Sequence, residues 1–287
     1  MLSIIPELRD LDLSLLLSLG AELDSRPQVL AGRTVREFLI SSLLKIRDRH
    51  GRLCPLVPNA AQSSFEHRAQ RRNIVLKARQ LGISTYVAAR FFISTITRPG
   101  TVTVQVAHDQ RSAEEIFRIV HRFLENLPPR LRGEGNDGAR LGALITSRAN
   151  VRQLVFPRLD SEYRVESAAD ANAGRGLTIH NLHCSEVARW PGDAEAALAS
   201  LRAAVPPHGE IVLESTPNGA GGIFYEEWSR AANFCHRERS FRSPERSPLC
   251  NAERSEGSLS ELKLSRGDRV PSLRSGLQKL AALDHSS

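Results

Sequence analysis

Apolar positions along this chain follow two rhythms. Short apolar runs suited to buried strands recur at 73-NIVLKA-78, 101-TVTVQVA-107, 177-LTIHNLHC-184 and 210-EIVLES-215, with weaker ones at 143-ALITS-147, 151-VRQLVF-156 and 163-YRVESA-168. Between them the spacing turns helical. A helix is predicted from Ser84 to about Thr97. A second opens at Asp109 or Ser112, with Ser112 and Glu115 at capping-box spacing. Its stripe of Ile116, Ile119, Val120, Phe123, Leu124 and Leu127 is stopped by Pro128-Pro129. A third is predicted over about Ala194–Ala204. Upstream, Val35 to Ile46 has helical spacing and 51-GRLCPLVPN-59 reads as an extended connector. Asn59 caps a short helix running to about Arg71. The alternation predicts an α/β fold, a mainly parallel sheet flanked by helices.

The pattern fails after about Ala232. The stretch 235-CHRERSFRSPERSPLCNAERSEGSLS-260 is rich in Arg, Ser, Glu and Pro and repeats itself, 235-CHRERS-240 against 250-CNAERS-255. Such composition buries too little apolar surface to offset the entropy of ordering, so a disordered C-terminal tail is predicted, with one weak helix over Leu273–Leu283. Three regions follow: a helical region over 1–50, an α/β domain over 51–232 and the tail over 233–287.

Composition narrows the reading modestly. A formal charge of +7 favours an anionic partner, and an aromatic content of 5% argues against a base-stacking platform. Cys54, Cys184, Cys235 and Cys250 lack CxxC spacing and read as reduced thiols. No run approaches the roughly 20 apolar residues of a membrane span, and no signal peptide is legible, so a cytoplasmic protein is expected.

Three stretches carry candidate chemistry. In 76-LKARQLGISTYVAARFF-92 a strand runs through a loop with Gly82 into a helix starting near Ser84, whose amides and dipole would face an anion. The position before Ser84, where a phosphate loop normally carries lysine, is Ile83, and the available cations are Lys77 and Arg79. In 179-IHNLHCSEVARW-190 an apolar run ends in Ser185-Glu186, where nucleotide hydrolases place an acidic pair. In 214-ESTPNGAGGIFYEEW-228 a strand runs into small polar residues at its C-terminal end. Taken singly, each is matched by an ordinary strand, turn and helix. Period-2 alternation puts His180 and His183 on opposite faces, against a shared metal, and Cys235, His236 and Cys250 fall in the low-complexity tail.

Order and combination are more specific. With 56-LVPNAAQ-62, 104-VQVAHDQRSAEEIF-117 and 174-GRG-176, these stretches resemble the ATPase domain of the large terminase subunit of tailed bacteriophages, over about 38–228. The resemblance implies a P-loop NTPase (RecA/ASCE-like) fold and ATP hydrolysis with Mg2+, coupled to translocation of double-stranded DNA into a capsid. It implies a nucleotide loop of Lys77, Ala78, Arg79, Gln80, Leu81, Gly82, Ile83, Ser84 and Thr85. Within it Lys77 is the phosphate-contacting lysine, at the front of the motif, Arg79 senses or stabilises the γ-phosphate, and Ser84 holds Mg2+ with Glu186 acting through water. Glu186 is the catalytic carboxylate, Ser185 replaces the usual metal-organising aspartate, and Gln62 reads adenine. Ser215, Thr216 and Asn218 form the coupling motif, and Arg175 is a basic-loop candidate or a solvated loop arginine. Implied partners are DNA, a small terminase subunit, a portal and a homo-oligomeric ring, with no membrane.

Large terminases continue into an RNase H-like nuclease with an acidic cluster. No such cluster is legible in 233–287, so a prophage-derived gene truncated before its nuclease is expected. The alternative is a non-catalytic remnant that keeps the fold and binds nucleotide or DNA without turnover.

Overall fold

In a computed structural model, residues 13–23, 33–132, 144, 146, 148–149, 152–170, 172–241 and 280–281 are described. In chain order the elements are α1 (Leu13–Ala21), α2 (Val35–Leu43), β1 (Lys45–Arg47), β2 (Leu53–Pro55), α3 (Ala60–Arg68), β3 (Arg72–Leu76) and α4 (Ile83–Thr97). Then come β4 (Val102–Ala107), α5 (Gln110–Glu125), α6 (Pro129–Arg132), β5 (Arg148–Ala149), β6 (Gln153–Phe156), β7 (Ser161–Ser167) and β8 (Asn181–Ser185). The chain continues through α7 (Ala194–Ala203), β9 (Glu210–Ser215), α8 (Gly222–Phe241) and β10 (Leu280–Ala281).

The main sheet has the order β10-β3-β9-β8-β4-β7-β6-β5. Its middle, from β3 to β7, is parallel; β10 pairs antiparallel with β3 at one edge, and at the other β6 pairs antiparallel with β7 and β5 antiparallel with β6. The α/β fold with a mainly parallel sheet is therefore observed. β9, late in the chain, is inserted between β3 and β8, and that insertion sets the composition of the site.

Both faces of the sheet are covered. On one, Phe91, Phe92 and Ile93 of α4 pack with Phe117, Val120 and Phe123 of α5, and with Leu16, Leu39 and Ile40 of α1 and α2. The helical segments over 13–43 thus share the core of the α/β domain. Gly20 lets α1 close onto α4, because a Cβ there would overlap the backbone of Thr97. On the other face, Leu198 and Leu201 of α7 and Phe224 and Ala231 of α8 cover Ile74, Val104, Leu182 and Leu213. Burial removes these side chains from water at about 25 cal/mol per Å² of apolar surface.

Several boundaries differ from the sequence reading. The helix from Val35 ends at Leu43, because Leu44 turns extended and leads into β1. The extended connector supplies β2, which pairs antiparallel with β1 across a turn containing Gly51. Asp109, not Ser112, caps α5: its side chain accepts a hydrogen bond from the Ser112 amide at 2.7 Å. Asn59 caps α3 in a reciprocal box with Gln62. α8 continues to Phe241, into the segment expected to be tail. Of the helix expected over 273–283, only Leu280 and Ala281 are described, and they extend the β3 edge as a strand. An open strand edge offers unpaired backbone groups, which favours pairing over a helix there. Most of the strand expected over 143–147, and residues 242–279 and 282–287 of the tail, lie outside the described residues.

Candidate nucleotide site

The C-terminal ends of β3, β9 and β8 lie side by side, and each delivers functional groups to one place. Register pairs Val75 with Glu214 across β3 and β9, and Ser185 with Glu214 across β8 and β9. Lys77 follows β3 directly, its amide donating to Ser215 O at 3.0 Å. Its Nζ lies 2.7 Å from Glu186 Oε1 and 3.0 Å from Glu214 Oε2, so one ammonium bridges two carboxylates. Ser84, in the first turn of α4, donates from Oγ to Glu214 Oε1 at 2.7 Å. Ser185 donates to the same oxygen at 2.6 Å.

Gly82 caps α4 with φ at +69°, in the left-handed region, and a Cβ there would come within 2.8 Å of Gln62 Nε2. The backbone angle calls for glycine at this turn, and a Cβ would also have to displace the end of the Gln62 side chain. Ile83, at the position where lysine was sought, is buried in the apolar core. A lysine there would bury an unpaired ammonium. Ala78, Arg79 and Gln80 form the exposed crest of the loop, with Gln80 at φ 62°, and Thr85 is half-buried. Leu81 O accepts from Asn59 Nδ2 at 3.2 Å, and Gln62 Nε2 donates to Gly82 O at 2.8 Å. Gln62 is thus fixed against the loop.

Glu186 also has a left-handed backbone, φ 51° and ψ 44°. Non-glycine residues adopt this at a cost of roughly 1–2 kcal/mol, and such positions concentrate at functional sites. The conformation is held by the β9 loop. Thr216 donates to Glu186 Oε2 from Oγ1 at 2.8 Å and from its amide at 3.2 Å. Ser215 Oγ accepts from the Ala188 amide at 3.2 Å, and Asn218 Nδ2 donates to Ala188 O at 2.8 Å. Arg189 approaches Glu186 Oε2 at 3.7 Å. Lys77, Ser84, Ser185, Glu186, Ser215, Thr216 and Asn218 are therefore brought together. Arg79 stands on the loop crest without contact to that cluster, and Arg175 is exposed on another loop, donating to Asn172 Oδ1 at 3.1 Å.

The electrostatics favour charged forms throughout. Burial would lower the Lys77 pKa, but Glu214 and Glu186 outweigh it and hold it above the ordinary lysine value. Burial would raise Glu186, yet the Lys77 ammonium and the Thr216 hydroxyl keep it low. Burial opposes ionisation of Glu214 most strongly, but His183, Lys77 and Ser185 pull its pKa down to about 2.

Glu214 and His183 are the residues that the sequence reading passed over as groups of this site. The signal was present: a carboxylate inside the apolar run 210-EIVLES-215 must find partners once buried. Side-chain alternation sends His180 and His183 to different surroundings, as expected. His180 Nδ1 accepts from the Val102 amide at 3.1 Å, whereas His183 Nε2 lies 3.4 Å from Glu214 Oε1. Among the described residues no group of three or more His, Cys, Asp or Glu is placed to hold a metal. The available metal donors are instead hard oxygens, from Ser84, Glu186 and Glu214. Glu214 Oε2 is fully buried and, apart from its ion pair with Lys77, accepts no hydrogen bond from the described residues. That donor set suits Mg2+ rather than a softer metal.

No protein-family model matches this chain, and no curated protein does. Solved structures do. The chain is similar to the HK97 bacteriophage large terminase with a TM-score of 0.55 and 13% identity, over 75% of this chain and 44% of that one. It is similar to the Thermus phage P74-26 large terminase ATPase domain at 25% identity and a TM-score of 0.41, over 59% of this chain and 68% of that one. It also matches S. cerevisiae dbp5 at 12% identity and a TM-score of 0.40, over 60% of this chain and 43% of that one. This chain thus spans less than half the length of the HK97 large terminase, and across the span they share it has that protein's fold.

Proposed function

We propose that this chain is a Mg2+-dependent ATPase of the large terminase type, hydrolysing ATP to move double-stranded DNA. The observation that carries the reading is the meeting of Lys77 after β3, Glu186 after β8 and Ser84 in the first turn of the glycine-capped helix α4, with Glu214 of β9 touching both Lys77 and Ser84. Phosphates would lie against the first amides of α4 and draw the Lys77 ammonium toward them. Bound Mg2+ would neutralise charge on the β- and γ-phosphates, and Ser84 Oγ would hold it. Glu186, released from Lys77 but still gripped by Thr216, would orient the attacking water. Arg79 on the crest of the loop would reach the γ-phosphate, and Gln62 would read adenine. Because Thr216 holds the Glu186 carboxylate and Ser215 and Asn218 hold the backbone of Ala188 two residues on, a change at that carboxylate would pass to the β9 loop and α8. Passage of that movement to DNA, and assembly with a small subunit, a portal or a ring of copies, belong to the same proposal. No helix among the described residues is long and apolar enough to cross a membrane.

The experiment is phosphate release from Mg·ATP by the full chain, with Lys77→Ala and Glu186→Gln compared. Loss of a nucleophile-orienting or charge-stabilising group predicts a fall of about 100-fold or more in each. Equal turnover in both variants and the wild type would exclude the assignment.

A further inference from the structure

We infer that Glu214 of β9, and not a residue of β8, is the carboxylate that organises Mg2+ in this site, with His183 as its positioning residue. The inference rests on the nucleotide-site reading above and deepens it. In strand-loop-helix nucleotide hydrolases the metal is held by the phosphate-loop Ser or Thr together with an acidic residue from a neighbouring strand. On β8 that acidic position is filled by Ser185, whose hydroxyl carries no charge. The charge is present one strand over. Glu214 is fully buried, directly beside Ser185 in register, and its Oε1 takes hydrogen bonds from both Ser84 at 2.7 Å and Ser185 at 2.6 Å. A carboxylate engaged with the loop serine holds the place required of a metal organiser. Strand insertion makes this possible, because β9 lies between β3 and β8.

A buried chain of polar side chains leads to Glu214, and its last link is a close approach of His183 Nε2 rather than a hydrogen bond. Tyr163 OH donates to Gln105 Oε1 at 2.8 Å, which turns the Gln105 amide nitrogen toward His183 Nδ1 at 2.7 Å. That nitrogen donates, so Nδ1 accepts and the ring proton sits on Nε2, which faces Glu214 Oε1 at 3.4 Å. Oε2 remains for a cation. Lys77 Nζ lies there at 3.0 Å, off the line of a hydrogen bond. With phosphate drawing Lys77 away, two carboxylates at close quarters would need a replacement cation, and Glu214 and Ser84 would hold a divalent ion that supplies it.

The test uses the full chain, with Mn2+ as the metal and a non-hydrolysable ATP analogue as the nucleotide. Mn2+ affinity is read by electron paramagnetic resonance and metal-free nucleotide affinity by fluorescence titration in EDTA. Glu214→Gln should weaken Mn2+ binding by about 10–100-fold and leave metal-free nucleotide binding unweakened. Adding Ser185→Asp to Glu214→Gln should recover Mn2+ affinity by returning a carboxylate to the β8 position. Should Glu214→Gln not fold, Glu214→Ala carries the same comparison, again with no carboxylate at position 214. Mn2+ binding unchanged in the folded Glu214 variant, or reduced without recovery by Ser185→Asp, would overturn this inference and leave the nucleotide site standing. Failure of the wild type to bind nucleotide would overturn both.

Discussion

Replacing Glu66 with glutamine should be among the most damaging single changes outside the candidate site. Glu66 of α3 is buried between two guanidiniums: Oε1 lies 3.2 Å from Arg36 Nε and 2.5 Å from Arg90 Nη1, and Tyr86 OH donates to Oε2 at 3.1 Å. Arg90 has a second partner in Glu210 at 2.9 Å, at the start of β9, while Arg36 also donates to Ser94 Oγ at 2.6 Å. The network ties α2, α3 and α4 to β9. Removing one partner of a buried ion pair costs about 3–5 kcal/mol, because the other charge stays behind without compensation. Glutamine keeps an acceptor for Arg90, which places the expected loss near 3 kcal/mol, a sizeable share of a total stability of roughly 5–15 kcal/mol. At about 2–4 °C per kcal/mol for a domain of this size, the melting temperature should fall by roughly 6–12 °C. The pH dependence gives a sharper check. Burial would raise the Glu66 pKa, but Arg90, Arg36 and the Tyr86 hydroxyl outweigh it and hold it below the ordinary value. A depressed folded pKa means that the stabilisation is complete above the unfolded pKa of about 4.3 and is lost as pH falls through the folded value. Urea unfolding of wild type and Glu66→Gln should therefore differ most near neutral pH and converge below pH ~4. A difference under ~1 kcal/mol, or one that stays constant through acid pH, would refute the reasoning.

Three further outcomes are predicted. Gly82→Ala must hold a left-handed angle at a cost of about 1–2 kcal/mol and displace Gln62 Nε2, so thermal melting should drop and titration of a fluorescent ATP analogue should show weaker binding. Unchanged values would mean the loop has room to spare. Phe92, fully buried with ring centroids 5.8 Å from Phe123 and 6.4 Å from Tyr163, should lose about 3–5 kcal/mol as Phe92→Ala in chemical denaturation. Gln105→Leu strands His183 Nδ1 and leaves the Tyr163 hydroxyl only its 3.5 Å contact with Ala88 O, costing about 1–3 kcal/mol. Adding Tyr163→Phe should return part of that loss, because it removes one of the stranded groups.

What the sequence disclosed and what it withheld divide along physical lines. Strands β3, β4 and β9 and helices α4, α5 and α7 were legible because their periodicities are strong and their ends carry ordinary signals. The hairpin of β1 and β2 was not, because each strand has only three residues and Pro55 masks an extended segment as a connector. The ion network of Arg36, Glu66, Arg90 and Glu210 was hidden for another reason. Its members sit on separate elements, three helices and the start of β9, and each alone looks like a solvated surface charge.

The candidate site shows the same division in one place. Lys77, Ser84 and Glu186, which the structure brings to one place, were legible as candidates because each stands at a strand end or helix start. Glu214 escaped because its importance comes from sheet order, which sequence spacing does not encode. With β3 next to β8 in the sheet, Ser185 would have faced the loop serine alone and the β8 end would have lacked a buried charge. Insertion of β9 puts a carboxylate between them instead. That placement would be unaffordable without compensation, since an isolated buried carboxylate would protonate. The compensation is local: Lys77, Ser84, Ser185 and the Nε2 face of His183 converge on it. Serine at position 185 is then no defect in the motif. An aspartate there would set two buried carboxylates side by side against one lysine, and like charges so close would force one to take up a proton.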